Sequence, residues 1–212
     1  MAAIVDVLAA ITDDIGALLD GQGRVTVGVT GPPGAGKSTV ARALVGRLDS
    51  TAYLPMDGFH LSSAQLDRLG RRDRKGAIDT FDVDGYVAIL QRTASSYRRA
   101  DVYVPDFDRS IEEPVAAGLV VPADARIVIT EGNYLGTWEP VRALLHRLYY
   151  LDRLASARQS DLVARHVAGG RDRVAAQAYV ESVDEANARM IAATRGVADR
   201  AFDVDDQRES SA

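Results

Sequence analysis

A glycine-rich segment near the N-terminus constrains this chain more than any other feature of its sequence. Residues 31–38 read Gly-Pro-Pro-Gly-Ala-Gly-Lys-Ser and match the pattern G-x-x-x-x-G-K-[ST] at every required position. The β-branched run at 25–30 predicts a buried strand before it, and helical spacing follows from 37 to 48. A structural turn that fits the pattern by chance is the alternative, but a full match in this context is rare. The segment therefore predicts a phosphate-binding loop.

Each residue type in this loop has a physical role. Glycine lets the backbone curl so that successive N–H groups point at phosphate oxygens, and the following helix adds its N-terminal dipole. Lys37 is expected to reach the β- and γ-phosphates, and the Ser38 hydroxyl is expected to bind Mg²⁺. The residues predicted to hold the nucleotide are Gly31, Pro32, Pro33, Gly34, Ala35, Gly36, Lys37, Ser38 and Thr39.

Strand and helix patterns alternate along the rest of the chain. Short apolar runs predict strands at residues 25–30, 52–56, 126–130, 148–151 and 201–204. Helical spacing predicts helices at 4–18, 37–48, 85–95 and 155–166, and a longer helix after the pair Gly169-Gly170. This alternation predicts one α/β domain over residues 1–212, with about five parallel strands between two helical layers. The polar tail at 205–212 is expected to be disordered.

Two local details of these helices are also predicted. Asp84 is a short hydrogen-bond acceptor just before an apolar-periodic run, so we expect it to cap the helix at 85–95. In the longer helix near the C-terminus, four side chains recur in helical register: Tyr179, Val183, Ala186 and Met190.

The composition limits the classes of protein that this chain can be. It has 212 residues, no cysteine and a formal net charge of −5. The lack of cysteine excludes a disulfide framework and a thiolate metal site, and a reducing cytoplasm is the expected location. The net negative charge argues against broad nucleic-acid binding, and the apolar runs are too short to cross a bilayer, so neither nucleic acid nor membrane is expected as a partner. The start shows no basic secretory leader, and a homodimer is one candidate assembly.

Two acidic residues follow predicted strands, where ligands gather in sheets of this kind. Asp57 comes directly after the second strand and is placed to accept a proton from a substrate hydroxyl; a turn aspartate in an Asp-Gly pair is the alternative. Glu131 ends the strand at 126–130 and is placed to reach Mg²⁺. The alternative for Glu131 is an exposed acid at a strand end.

An arginine-rich segment at about 155–175 has the features of a mobile lid. Four arginines surround a pair of glycines: Arg158, Arg165, Arg171 and Arg173. Arginine forks can neutralise charge on a transferring phosphoryl group, and lid closure excludes water. We expect Arg165 and Arg171 to contact phosphate and treat His166 as a surface residue of the helix. A solvated arginine face balanced by Asp161 and Asp172 is the alternative.

These segments together resemble the P-loop small-molecule kinases that include uridine kinase, phosphoribulokinase and type I pantothenate kinase. The matching stretches are Gly31 to Ser38, Met56 to Phe59, Thr80 to Asp82 and Thr130 to Gly132. Within this superfamily the chain is most similar to the nucleoside/nucleotide kinase-like, or fructose-transport-system kinase, branch. The stretches that resemble this branch are Lys75 to Val83, Val102 to Arg109, Glu131 to Leu135 and Arg165 to Arg171.

The resemblance implies an activity and a set of roles. It implies transfer of the γ-phosphate of ATP, with Mg²⁺, to a hydroxyl of a small metabolite, with Asp57 as catalytic base and Glu131 beside the metal. It also places Asp82 on substrate hydroxyls; helix capping is its alternative, but Asp84 is the better cap. Arg109 lies in a loop that faces the acceptor pocket, and Asn187 resembles a nucleotide-contacting position. The residues expected to bind substrate are Asp57, Phe59, His60, Asp82, Arg109, Glu131 and Tyr134.

The identity of the acceptor stays open at this point. A nucleoside such as uridine, a sugar and a pantothenate-like alcohol are all candidates, although uridine kinase has a Tyr/His-containing segment where this chain has the stretch at 106–109. A nucleotide monophosphate kinase is a second reading, but a phosphate acceptor needs no base and would leave Asp57 without a role. A regulatory P-loop ATPase module acting through a partner is a third reading. No guanine-reading Asn-Lys-x-Asp segment occurs.

Overall fold

The computed structural model of the protein describes residues 2–21 and 23–204 and confirms the predicted alternation of strands and helices. The helices are α1 (Ile4–Leu19), α2 (Lys37–Arg47), α3 (Ser63–Leu69), α4 (Val83–Ser95), α5 (Glu139–Arg142), α6 (Ala155–Ala168), α7 (Arg173–Tyr179) and α8 (Glu185–Ala192). The strands are β1 (Val25–Thr30), β2 (Thr51–Pro55), β3 (Val102–Asp108), β4 (Glu113–Val121), β5 (Ile127–Glu131), β6 (Arg147–Asp152) and β7 (Arg200–Asp203). The predicted disorder at 205–212 lies outside the described residues.

A five-stranded parallel sheet forms the middle layer, with the strand order β2-β5-β1-β6-β7. Its register brings the ends of three strands together, because Glu131 at the end of β5 pairs with Val29 on one side and Pro55 on the other. The loop after β1, the turn after β2 and the end of β5 therefore meet at one edge of the sheet. This is the edge at which parallel α/β sheets bind ligands.

Helices cover both faces of the sheet, so the three-layer arrangement is confirmed. On one face, α1 and α2 bury Ile11, Ile15 and Leu44 against strand residues such as Val27. On the other face, α4 and α8 pack with the segment after β5, in a core that contains Tyr86, Leu90, Trp138 and Ile191. Within residues 2–21 and 23–204, no helix has the length and apolar character needed to cross a membrane.

The segment around Arg109 is a β-hairpin, whereas the sequence predicted a loop there. Strand β3 pairs antiparallel with β4, in a small two-stranded sheet with a register shift between Val104 and Asp106. Arg109 lies in the turn between the two strands. The hairpin packs against the turn after β2 at Gly58, where a Cβ atom would lie 2.5 Å from the carbonyl oxygen of Pro105. This contact fixes the hairpin tip beside Asp57.

Helix α4 is capped by Asp82, so the prediction that Asp84 caps it was wrong. The Asp82 Oδ1 atom accepts a hydrogen bond from the backbone N–H of Gly85 at 2.9 Å. Asp84 lies one residue inside the helix, where its negative charge faces the favourable end of the helix dipole. The helix begins two residues earlier than predicted, so the residue in the N-cap position is Asp82 instead of Asp84.

The long C-terminal helix contains a π-helical turn, which makes the predicted register wrong. Helix α7 continues through a π-turn at Val180–Asp184 into α8. The wider turn inserts an extra residue and rotates the face that follows it. The buried side chains are consequently Ala176, Val180, Asp184, Asn187, Ala188 and Ile191. Met190 of the predicted register is 41% exposed.

Candidate active site

The predicted phosphate loop, Gly31–Ser38, curls between the end of β1 and the start of α2. Gly31 has a φ angle of +146°, and a Cβ atom there would lie 2.0 Å from the carbonyl oxygen of Leu151, so only glycine fits. Lys37 is the first residue of α2 and is only 8% exposed. Its ammonium donates a hydrogen bond to the Pro32 carbonyl at 3.0 Å, across the loop. Backbone N–H groups, a helix N-terminus and a buried ammonium together suit a phosphate chain.

The surroundings of Lys37 shift the pKa of its ammonium group. Burial lowers the pKa of Lys37 to about 8, while the nearby carboxylates of Glu131 and Asp57 act in the opposite direction. The side chain therefore stays a cation at neutral pH. It places one positive charge at the point where a bound phosphate chain would need it.

Ser38 and Glu131 form an oxygen pair beside the loop. Glu131 Oε1 accepts hydrogen bonds from Ser38 Oγ at 3.0 Å and from the Tyr53 hydroxyl at 2.8 Å. Burial, together with the neighbouring negative charge of Asp57, raises the pKa of Glu131. A hydroxyl and one carboxylate suit Mg²⁺, which in such sites takes most of its remaining ligands from phosphate and water. No cluster of three or more metal-binding side chains occurs in the described part of the chain, so the fit requires a bound phosphate chain.

Asp57 lies in a 3₁₀ turn, Met56–Phe59, that follows β2 directly. Arg109 reaches it from the hairpin tip and donates from Nη2 to Asp57 Oδ2 at 2.7 Å. Burial alone would raise the pKa of Asp57, but the electrostatic influence of His60, the positive charges of Arg109 and Lys37 and the hydrogen bond from Arg109 outweigh it and hold that pKa below its usual range. Asp57 is therefore ionised at neutral pH and able to accept a proton.

Three rings form an aromatic wall beside Asp57. The imidazole of His60 contacts both Phe81 and Phe107. Its ring centroid lies 4.0 Å from that of Phe81 and 4.9 Å from that of Phe107. Its Nδ1 is 2.8 Å from the Asp57 carbonyl oxygen. Burial lowers the pKa of His60. All three rings line the same cavity as the Asp57 carboxylate.

These parts enclose a cavity of about 460 Å³, within the size range of small-molecule sites. Its wall includes the phosphate loop, the acids Asp57 and Glu131, the hairpin residues Phe107 and Arg109, and the rings of His60 and Phe81. The lid segment contributes Arg165, His166, Gly169 and Arg171. Because the phosphate loop and Asp57 share one cavity, a triphosphate and a second small molecule can be held together there.

The comparisons with known proteins agree with this geometry. Residues 26–209 match the sequence model of the Phosphoribulokinase / Uridine kinase family. The chain belongs to this family. It is a P-loop kinase of the uridine kinase, phosphoribulokinase and pantothenate kinase type, and this family implies the use of ATP.

Individual relatives cover most of the kinase. A protein of Schizosaccharomyces pombe named as a candidate uridine kinase is 35% identical over 167 residues, which are 72% of this chain and 71% of that one. An ATP-dependent kinase-like protein of Aspergillus versicolor is 33% identical over 152 residues, 66% of this chain and 88% of that one. The crystal structure of a candidate fructose transport system kinase from Silicibacter sp. TM1040 has a TM-score of 0.83 and 33% identity, and the match covers 92% of this chain and 98% of that one.

The structure of the kinase brings most of the predicted site residues together. The predicted residues that line the cavity are Pro33, Gly34, Lys37, Ser38, Asp57, His60, Arg109, Glu131, Arg165 and Arg171. Phe59 packs in the core instead, 4.8 Å from the ring of Tyr86. Tyr134 is fully buried and donates its hydroxyl hydrogen to the Gly76 carbonyl at 2.7 Å. Asp82 is exposed at its helix cap, outside the cavity wall.

The arginines of the lid segment divide into two groups. Arg158 is buried and donates to the Pro33 carbonyl at 3.1 Å and to Glu185 at 3.3 Å, so it fastens the lid to the phosphate loop. Arg171 stacks over the ring of Tyr179, with its guanidinium carbon 4.0 Å from the ring centroid. Arg165 is exposed to the cavity and pairs with no other described residue. Arg165 and Arg171 are therefore the two that a phosphate chain can reach.

Three cavity residues on the lid side were missed or given little weight by sequence reasoning. His166 is not a surface residue: its Nε2 lies 2.9 Å from Asp184 Oδ2, and both residues line the cavity. Asp184 and Asn187 are buried there because the π-turn rotates them inward. The resemblance had singled out Asn187, whose amide donates to the Gly76 carbonyl at 3.3 Å, but no sequence signal pointed to Asp184.

Proposed function

We propose that this kinase transfers the γ-phosphate of ATP to a hydroxyl group of a small polar metabolite, with Asp57 as the catalytic base. One observation carries the proposal: Asp57 lies on the wall of the same cavity as Lys37, and surrounding cations lower its pKa. A hydroxyl acceptor has a proton to lose, whereas a phosphate acceptor is already ionised. An ionised carboxylate at this position is therefore expected in a kinase that acts on alcohols.

Each of the other residues has a role in this chemistry. ATP with Mg²⁺ supplies the phosphoryl group and the metal charge. Lys37 and the loop N–H groups hold the β- and γ-phosphates, and Ser38 with Glu131 holds the metal. Arg165 and Arg171 offset the negative charge that develops on the phosphoryl group and exclude water when the lid closes. The Asp57 carboxylate takes the hydroxyl proton as the acceptor oxygen bonds to the γ-phosphorus; the bond from that phosphorus to the bridging oxygen breaks, and ADP leaves with the electron pair.

The experiment that tests this function measures ADP release from ATP–Mg²⁺ with a panel of nucleosides, sugars and other small alcohols, and without any acceptor. Stimulation by an alcohol supports the proposal. The Asp57→Asn variant should then lose about 10²–10⁴-fold in turnover with its ATP affinity retained. Asp49→Asn, an exposed turn residue, is the matched control and should retain wild-type turnover.

Two results would overturn the proposal. Steady ADP release that no acceptor stimulates would identify an ATPase module rather than a kinase for alcohols. Wild-type turnover in Asp57→Asn would remove Asp57 from the role of base, because an amide cannot accept the proton. Preferential phosphorylation of a nucleotide monophosphate would also remove Asp57 from the role of base, because a phosphate acceptor is already ionised.

A further inference from the structure

Lysines and arginines outnumber aspartates and glutamates on the described wall of the cavity. We infer that the acceptor carries an anionic group, a phosphate or a carboxylate, in addition to the hydroxyl that is phosphorylated, and that Arg109 binds this group. The inference rests on the proposed function, because it assigns a chemical class to the acceptor of that same reaction.

The charge balance of the cavity wall is the first argument. Among the described residues, six lysines and arginines line the cavity, against the four acids Asp57, Glu112, Glu131 and Asp184. Arg72, Lys75 and Arg109 each have an acidic neighbour, at 3.8, 3.6 and 2.7 Å, but the wall as a whole keeps an excess of positive charge. Such a wall attracts anionic ligands.

The geometry of Arg109 is the second argument. Its guanidinium has five N–H donors, and its one hydrogen bond to a described side chain goes to Asp57 Oδ2. The side chain is 54% exposed and lies on the cavity wall, 5.5 Å from the centroid of Phe107. The rest of its planar fork is therefore open to a ligand, and carboxylate or phosphate oxygens match that fork.

The other two cations add positive charge, and Lys75 also holds the hairpin in place. The ammonium of Lys75 donates to Ser63 Oγ at 3.3 Å and to the Glu112 carbonyl, and lies 3.6 Å from Glu113. Its donors are used, so it fixes the hairpin turn. Arg72 is 52% exposed, and its closest acidic partner, Asp67, lies 3.8 Å away. That distance exceeds a hydrogen bond, so Arg72 can turn toward a ligand.

The position of Arg109 also limits the shape of the acceptor. Because Arg109 already contacts Asp57, an anion on its open side would lie close to the catalytic carboxylate, with the guanidinium between the two negative charges. A hydroxyl only a few bonds from the anion would then reach Asp57. Short hydroxy acids and sugar phosphates have this arrangement, whereas neutral nucleosides and free sugars do not.

Matched pairs of acceptors test the inference directly. The pairs are glycerol with glycerate and with glycerol 3-phosphate, ribose with ribose 5-phosphate, and pantothenol with pantothenate, and uridine represents a neutral nucleoside. We expect kcat/KM to be at least about tenfold higher for the anionic member of the pair that fits, since charge-assisted hydrogen bonds are among the strong ones. The pair that responds distinguishes a carboxylate from a phosphate. The KM for that acceptor should rise with ionic strength.

Variants of Arg109 provide the second readout, which is the ratio of kcat/KM between the anionic and the neutral member of one pair. Arg109→Gln should lower this ratio about tenfold or more, whatever it does to turnover through Asp57. Arg109→Lys keeps the charge but not the planar fork of donors, so its ratio should lie between that of the wild type and that of Arg109→Gln. Arg47→Gln is the control; Arg47 is exposed in the last turn of α2, at the opposite end from the phosphate loop, and its ratio should stay at the wild-type value.

The outcomes separate this inference from the proposed function. If a neutral alcohol is the best acceptor and Arg109→Gln leaves the ratio unchanged, the kinase assignment stands and the anionic acceptor is wrong. The same conclusion follows if the preference for the anion is insensitive to both Arg109 variants, because the anion is then bound elsewhere. If no acceptor stimulates ADP release, the proposed function fails and this inference fails with it.

Discussion

The hydroxyl of Tyr179 on α7 donates a hydrogen bond to the carbonyl oxygen of Lys75 at 2.6 Å. The next carbonyl, that of Gly76, accepts from Asn187 on α8 and from Tyr134 in the core. Lys75 and Gly76 line the cavity. This short segment, the proposed acceptor wall, is therefore hydrogen-bonded both to α7 and α8 and to the core, and these bonds hold it in place.

The first prediction removes this bond with Tyr179→Phe. The ring that stacks under Arg171 is retained, so the effect should come from the lost hydroxyl alone. A hydrogen bond of about 1 kcal/mol corresponds to roughly a fivefold change in an equilibrium. We expect the KM for the acceptor to rise by about that factor while the KM for ATP stays constant.

The control for this prediction is Tyr103→Phe, since Tyr103 is 61% exposed on the hairpin. It should leave both constants at their wild-type values. An equal rise in the KM for ATP and for the acceptor in Tyr179→Phe would show that the bond serves general folding rather than the acceptor wall.

The second prediction concerns the buried charge of Lys37. A decrease of its pKa from 10.5 to about 8 corresponds to a cost of about 3 kcal/mol for holding the ammonium without phosphate. Lys37→Met retains the apolar stem and removes the charge. We expect it to raise the free energy of unfolding of the nucleotide-free protein by about 2–3 kcal/mol, and to abolish the thermal stabilisation by ATP–Mg²⁺ that is expected of the wild type.

The pKa of Lys37 also predicts how the stability difference between Lys37→Met and the wild type changes with pH. Below pH 8, native and unfolded chains both hold the Lys37 proton, so the cost is present in full. Between pH 8 and 10.5 the native state releases the proton before the unfolded state does, so the wild type gains stability as the pH rises. The difference in unfolding free energy between Lys37→Met and the wild type should therefore decrease as the pH rises through this range. A difference that stays constant would mean that the buried ammonium costs nothing.

The phosphate loop and the strand-end acids could be predicted from sequence because their determinants are local. A glycine at a position that no Cβ can occupy and a lysine at a helix start are specified by spacing alone. Glu131 could be placed because it directly follows a run of buried β-branched residues. The parallel sheet then brings Glu131 and Ser38 within 3.0 Å, as the alternation of strands and helices predicted.

The hairpin and the lid-side residues depend on tertiary packing, which the sequence did not reveal. Strand β3 contains Pro105 and two aspartates, and β4 contains Ala-Ala-Gly, so neither has a clear strand pattern. The hairpin is stabilised by the pairing of the two strands and by their packing on the turn at Gly58. Asp184 entered the cavity only because a π-turn rotated the helix, and periodic spacing assumes a regular helix.

The third prediction separates the metal from the acceptor as the partner of Glu131. In Glu131→Gln, the amide oxygen can still accept from Tyr53 and Ser38, so the fold should be retained. We expect the Mg²⁺ concentration for half-maximal ADP production to rise about tenfold or more in Glu131→Gln and in Ser38→Ala, because one oxygen ligand is weakened or lost. Tyr53→Phe removes a bond to Glu131 but no ligand, so its effect should be smaller. An unchanged Mg²⁺ requirement with a raised KM for the acceptor would assign Glu131 to the acceptor instead.

The fourth prediction uses the two aspartates at the start of α4. Asp82 caps the helix through the N–H of Gly85, so Asp82→Ala should lower the free energy of unfolding by about 1 kcal/mol. Asp84→Ala should cost less, since Asp84 contributes only a helix-dipole interaction of about 0.3–1 kcal/mol. Denaturant unfolding of both variants measures the difference.

Asp82→Asn then separates capping from substrate binding at the same position. Asparagine caps a helix about as well as aspartate, so the stability of this variant should equal that of the wild type. Because Asp82 lies outside the cavity wall, the kinetic constants of the Asp82→Asn variant should also equal those of the wild type. If Asp82→Asn keeps its stability but loses affinity for the acceptor, then α4 must move toward the cavity during turnover, and the substrate contact implied by the family resemblance would be restored.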